Sequence, residues 1–210
     1  MADGSVTLLK LTRSPRDENR FYAEFDNGDA FSVTVMHIAD YSLYTGAKIP
    51  TDRYRTLSIA AEKSRARARA MRILGARMLS KGEIVEKLLQ KGERQEVCGD
   101  TAEYLESIGA INDQQYAQAI VLHYAKKGYG AGKIRNELYR RRIPKDMWED
   151  AMQTMPDTEE SIDRLIASKL AGKICDRKEI KKVSDMLIRR GYSYDEIRSG
   201  LRKYADGNED

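Results

Sequence analysis

The residues whose crowding most invites chemistry are basic. From Lys126 to Lys145 the chain places Lys126, Lys127, Lys133, Arg135, Arg140, Arg141, Arg142 and Lys145 against a single acid, Glu137. On a helix through this stretch, at ~100° per residue, Arg135, Tyr139 and Arg142 fall within about 60° of one another. An arginine–tyrosine face of this kind suits phosphate contact with base stacking, or an acidic protein groove that takes an aromatic anchor. A second concentration lies earlier. Between Ala61 and Ser80, Lys63, Arg65, Arg67, Arg69, Arg72 and Arg77 face only Glu62, and Arg65, Arg69 and Arg72 share one helical face. A helix face that is merely solvated usually interleaves both signs at i±4, and this one does not.

Other chemistries lack their constellations. Gly128, Gly130 and Gly132 match neither G-x-G-x-x-G nor a loop ending in G-K-[ST], and no strand precedes them. They read as a helix break and a new helix start. Asn112-Asp113 before a helix is most simply a cap. His37 and His123 have no evident partner. Cys98 and Cys175 stand far apart and outside any CxxC pair, which suits buried thiols in a reducing cytoplasm better than a redox or metal role. The expectation is therefore a binding protein with no catalytic group, metal or cofactor.

The elements that must position these residues form a series. Ile84-Val85-Glu86-Lys87-Leu88, Ile134-Arg135-Asn136-Glu137-Leu138 and Val183-Ser184-Asp185-Met186-Leu187 repeat one apolar pattern, with Leu88, Leu138 and Leu187 at intervals of 50 and 49 residues. A period of this length signals repeat architecture, in which neighbouring units bury one another's apolar faces. Around each anchor the order is a long helix, a short one and another short one. Cys98, Trp148 and Ile197 occupy one slot in the third helices; Ala102, Met152 and Leu201 occupy the next. Ser80 with Glu83 gives the S-x-x-E spacing of a capping box. The helix before it should run from Asp52 to Met78, with Leu57, Ala61, Ala68, Met71 and Met78 as its apolar stripe. Expected boundaries are 51–111, 112–156 and 157–206 for the three helical units, with 207–210 frayed.

Residues 1–50 read differently. Val6–Leu11, Arg20–Phe25 and Ala30–Val35 alternate like strands, and Asn27-Gly28 favours a tight turn between the last two. A hairpin or three-stranded meander is expected, either packed on the helices or serving as a separate docking piece. Charged residues at 33% and 12 Tyr against 3 Phe suit a helical protein with large solvated faces. The net charge is only +4, so any nucleic-acid contact would come from local patches. No window approaches the ~18 apolar residues of a membrane span.

Leu105-Glu106-Ser107-Ile108-Gly109-Ala110-Ile111-Asn112-Asp113-Gln114-Gln115-Tyr116-Ala117 resembles the L-x3-G-x-I-[ND]-D-x2-[YF]-A signature of the RecX family of bacterial recombinase regulators. Gly130, Ile134 and Leu138 resemble the G-x3-I-x3-L element that follows it, and the likeness extends over about Ser58 to Tyr204. What the resemblance implies is a mainly α protein of tandem three-helix repeats, an elongated curved rod. Such a protein would bind the RecA recombinase filament in its groove as a monomer in the cytoplasm and restrain its activities in DNA repair. DNA contact without sequence preference is compatible with that role. The partner-binding candidates are then Arg65, Arg69, Arg72, Lys126, Lys127, Lys133, Arg135, Tyr139, Arg140, Arg141 and Arg142. One departure from the family pattern is Arg142, which stands where Gly92 and Gly191 occur in the other repeats. An arginine disfavours a left-handed helix cap, so the turn before Ile143-Pro144 is expected to differ.

Overall fold

In a computed structural model, residues 4–171 and 176–205 are described. Cys175 and the tail from Gly207 lie outside them. The chain begins as an antiparallel sheet of β1 (Ser5–Arg13), β2 (Arg20–Phe25), β3 (Ala30–Thr34) and β4 (Lys48–Pro50) in the order β3-β2-β1-β4. The first three strands are the expected ones. The fourth, three residues long and ending in proline, is not among the expected strands and runs directly into the helix that starts at Thr51. Pro50 is tolerated because β4 is an edge strand, where a missing N–H breaks no ladder. Between β3 and β4 lies α1 (Val35–Tyr41), opened by a capping box in which Thr34 Oγ1 accepts from His37 N and His37 Nδ1 accepts from Thr34 N.

Ten α-helices are present among the described residues. After α1 comes α2 (Thr51–Leu74), which ends at Gly75, before the expected Met78. Then follow α3 (Lys81–Gln90), α4 (Gln95–Ser107), α5 (Asp113–Lys126), α6 (Ala131–Arg140), a 3₁₀ turn (Lys145–Met147), α7 (Trp148–Met152), α8 (Glu159–Leu170), α9 (Arg177–Arg189) and α10 (Tyr194–Ala205). No strand occurs after Pro50 among the described residues.

The chain divides into two compact units. One holds the chain to Arg77 together with Ile84–Ala110, and the other holds Met78–Glu83 with the chain from Ile111 onward. In the first, Leu8, Ala23, Phe25, Val33 and Ile49 of the sheet share a core with Tyr54, Leu57 and Ala61 of α2. The sheet is therefore packed on a helix, the condition for so few strands to be stable. Beyond Ala61 the buried residues of α2 are Ala66 and Ala70, along the part that packs on α4. Five residues at ~100° turn the buried face by about 140°. That rotation corrects the expected stripe: Ala68 is half-buried and Met71 exposed, because the second half of α2 faces a helix and not the sheet, and Met78, also exposed, lies beyond the end of α2.

In the second unit, Tyr116, Ala117, Ile120 and Val121 of α5 close on Ile134, Leu138, Ile143 and Ala151. Ile162 and Ile166 of α8 do the same with Val183, Leu187, Tyr192 and Ile197. The joint between these two repeats is built from backbone. Gly130 N donates to Arg190 O and Gly132 N to Gly191 O, each at 2.9 Å. A Cβ on Gly130 would stand 2.5 Å from Gly191 O, so only glycine permits the approach. One repeat earlier the same joint recurs with other groups. Ser80 Oγ donates to Arg141 O, and Gly82 passes under Arg142, where an added Cβ would meet Arg142 Cβ at 2.7 Å.

The turn at Arg142 does not differ from its sisters, contrary to expectation. Gly92, Arg142 and Gly191 all adopt the left-handed conformation, with φ of 81°, 55° and 88°. In each the next residue's N–H reaches back to the anchor: Glu93 to Leu88 O, Ile143 to Leu138 O and Tyr192 to Leu187 O. Tertiary packing on Gly82 and the buried Ile143 holds Arg142 in a conformation that costs a side chain ~1–2 kcal/mol.

Candidate partner-binding surface

Helix α6 has no side chain at its N-cap. Its first N–H groups are taken by the carbonyls of Arg190 and Gly191, which leaves Gly130 and Gly132 as a helix start and not a phosphate cradle. Ile134 and Leu138 are fully buried, and so is the stretch's one acid, Glu137. Glu137 Oε1 takes Arg140 Nη1 at 2.9 Å and faces Lys133 Nζ at 3.8 Å. Arg141 is half-buried, its Nη1 donating to Tyr116 Oη at 3.2 Å and lying 3.6 Å from Glu83 Oε1. Lys133 and Arg141 thus direct much of their charge inward, whereas Arg140 pairs with Glu137 and its side chain stays 71% exposed.

Arg135, Tyr139 and Arg140 are exposed on α6, and Arg142, expected on the same helical face, is exposed instead in the left-handed turn beyond the helix. Tyr139 is 69% exposed, its ring directed to solvent beside the basic residues of the stretch. Arg135 Nη2 meets Glu149 Oε1 at 3.6 Å, but both side chains are solvated, and such a pair contributes little. Lys126 and Lys127 are exposed at the end of α5. The carbonyls of Lys127 and Gly128 accept from Arg190 Nη1, which ties that corner to the third repeat.

The earlier basic face is engaged differently. Arg65 Nη2 and Arg69 Nη1 grip the two oxygens of Glu93 at 2.8 and 2.7 Å, and the Glu93 side chain is 1% exposed. Arg69 Nη1 also donates to Lys91 O. Hydrogen bonding to Glu93 raises the Arg65 pKa above its ordinary value. Arg72 is exposed and makes no ion pair among the described residues. Nearby, Arg94 holds Glu62 bidentately, Nε to Oε1 at 2.9 Å and Nη2 to Oε2 at 2.5 Å, and this hydrogen bonding lowers the Glu62 pKa.

Sequence reasoning missed the acids that receive these cations. A signal for Glu93 was present. It follows Gly92 where Ile143 follows Arg142 and Tyr192 follows Gly191, and all three positions are buried. A charge in a slot that is apolar in the sister repeats announces a paired, buried group. The Asn112-Asp113 pair also divides its work. Asn112 Oδ1 caps its own helix at Gln115 N, whereas Asp113 Oδ1 accepts from Lys81 N and so caps α3.

Among the described residues no cluster of His, Cys, Asp and Glu could hold a metal ion, and no helix is long and apolar enough to cross a membrane. Cys98 is fully buried, and burial raises its thiol pKa.

Comparison with known proteins extends the reading. The family description "RecX, first three-helix domain" matches residues 66–105, and "RecX, second three-helix domain" matches residues 112–152. The chain is 31% identical over 134 residues to "Regulatory protein RecX" of Vibrio parahaemolyticus, covering 63% of this chain and 86% of that protein. It is 24% identical over 187 residues to the protein of the same name from Caldanaerobacter subterraneus subsp. tengcongensis, covering 89% and 94%. A crystal structure of regulatory protein RecX superposes with a TM-score of 0.73 at 21% identity, over 94% of this chain and 99% of that one. RecX from Lactobacillus salivarius superposes with a TM-score of 0.62 at 22% identity, over 69% and 97%. With tandem three-helix repeats in the fold and both RecX domains matched in sequence, the chain belongs to the RecX family of regulatory proteins.

Proposed function

We propose that this chain is a non-enzymatic regulator that binds a RecA-type recombinase filament and restrains its recombination, ATPase and coprotease activities in DNA repair. It acts as a cytoplasmic monomer. Its α6 face is the main contact, with Lys126, Lys127 and Arg72 as secondary cations. The observation that carries the choice of surface is the exposure of Tyr139 between Arg135 and Arg142. Of their neighbours, Lys133 and Arg141 are drawn inward by Glu137, Glu83 and Tyr116, and Arg140 pairs with Glu137 while staying exposed. An aromatic ring flanked by arginines is the composition that dominates interface energetics. Many dispersed contacts along a repeat protein would supply the rest of the affinity.

The same face suits single-stranded nucleic acid, since a tyrosine can stack on any base while arginines meet phosphate. Binding to RecA-coated and to bare single-stranded DNA at equal salt separates the two. Filament binding predicts tighter association with the coated strand and a shallow salt dependence. Equal affinity for both, with a steep salt slope, would assign the surface to DNA alone.

A further inference from the structure

The first unit carries a groove of about 700 Å³ whose lining contains no acid. Met36 of α1 and His37 beside it form one wall, with Lys63, Arg67 and Met71 of α2 and Tyr104 and Ile108 at the end of α4 completing it. The groove exists because the N-terminal sheet holds α1 against α2, so it combines the N-terminal segment with the first helical repeat. Its apolar side chains are not sealed away. Met36 is 67% exposed, Ile108 52% and Met71 48%. Methionine is flexible and polarisable, a side chain suited to partners of variable shape.

Arg67 gives the groove its sign. Its guanidinium carbon lies over the Tyr104 ring, 3.8 Å from the centroid, a cation–π contact that holds the group in place. Its Nε is buried and has no hydrogen-bond partner, and Arg67 forms no ion pair among the described residues. Lys63, by contrast, is neutralised by Asp100. Arg67 is thus a preorganised cation in apolar surroundings whose counter-charge the fold does not provide, and a desolvated donor without an acceptor is costly until one arrives.

We infer that this groove docks a short amphipathic segment of a partner protein, apolar where it meets Met36, Met71 and Ile108 and carrying a carboxylate that pairs with Arg67. Charge complementarity selects that occupant: a lining without acids and with one unbalanced guanidinium attracts a single carboxylate. A nucleic-acid strand would need a row of cations along its phosphates, and here thioether, alkyl and small side chains occupy those places.

The test uses the full chain labelled with ¹³C at the methionine ε-methyl groups. It is titrated with a short amphipathic helical peptide of Leu and Glu, with its Leu and Lys counterpart, and with oligothymidylate. The Leu/Glu peptide should shift the Met36 and Met71 signals saturably and leave Met147 and Met186 in place. Arg67→Glu should weaken that binding by roughly tenfold and transfer the preference to the Leu/Lys peptide. Met71→Glu, at an exposed position, should weaken the Leu/Glu peptide without loss of fold and so guards against misfolding of the first variant. The inference is overturned if Met36 and Met71 do not respond, or if Arg67→Glu leaves the preference unchanged. It is equally overturned if oligothymidylate moves those signals at lower concentration, or if they move with protein concentration alone, which would indicate a second copy.

Discussion

Helices α2 and α6 carry basic faces of similar density, yet the two are built for different ends. On α2, Arg65 and Arg69 converge on the buried carboxylate of Glu93, which the turn after α3 delivers. On α6, Glu137 pairs with Lys133 and Arg140 of its own helix, while Arg135, Tyr139 and Arg140 stay exposed, as does Arg142 in the turn beyond the helix. The difference teaches that a count of acids at i±4 measures local pairing only. A partner that arrives from 24 or 28 residues away turns an apparent binding face into a clamp.

The sharpest way to break the comparison is to remove the clamp. Glu93→Ala should destabilise the protein by about 2 kcal/mol in denaturant unfolding. That is below the ~3–5 kcal/mol of a fully buried pair, because both arginines remain partly solvated. A loss under ~0.5 kcal/mol would mean that Arg65 and Arg69 are available to a partner after all.

On the other face, Arg135→Ala with Tyr139→Ala should leave stability within ~0.5 kcal/mol and weaken filament binding by ~1–3 kcal/mol. Equal filament affinity in the folded double variant would move the proposed contact to Arg72 and the end of α5. Arg142→Gly probes the strained member of the three caps. Gly relieves the left-handed penalty but loses more chain entropy on folding, so the thermal midpoint should rise by the equivalent of about 0.5–1 kcal/mol. A fall in filament affinity alongside that rise would identify the arginine as a contact; unchanged affinity would leave it as a cap alone.

The smallest effect concerns acid. Hydrogen bonding from Arg94 holds the folded pKa of Glu62 below the ordinary glutamate value of 4.5. Its contribution is therefore present above pH 4.5 and disappears as pH falls through the folded pKa. Glu62→Gln should flatten the stability curve in that acid window and leave its shape near neutrality unchanged.

Much of the architecture was legible because it is periodic. The 50- and 49-residue spacing of Leu88, Leu138 and Leu187 recurs as three fully buried anchors. The capping box at Ser80 and Glu83 forms as its spacing requires. Such features depend on residues within about one helical turn of each other, so the local chain contains the whole argument.

What the chain order could not reveal was set by partners distant in sequence. The face that α2 buries changes after Ala61 because a sheet covers one half and α4 the other. Lys48–Pro50 becomes a strand only because Ser5–Thr7 pairs with it. Arg142 adopts a left-handed turn because Gly82 and the buried Ile143 demand the same cap geometry that glycine provides at 92 and 191. The fate of each cation was decided in the same way. Composition determined where positive charge is dense, but whether a guanidinium meets Glu93, stacks on Tyr104 or stands in solvent depends on which elements the fold brings beside it.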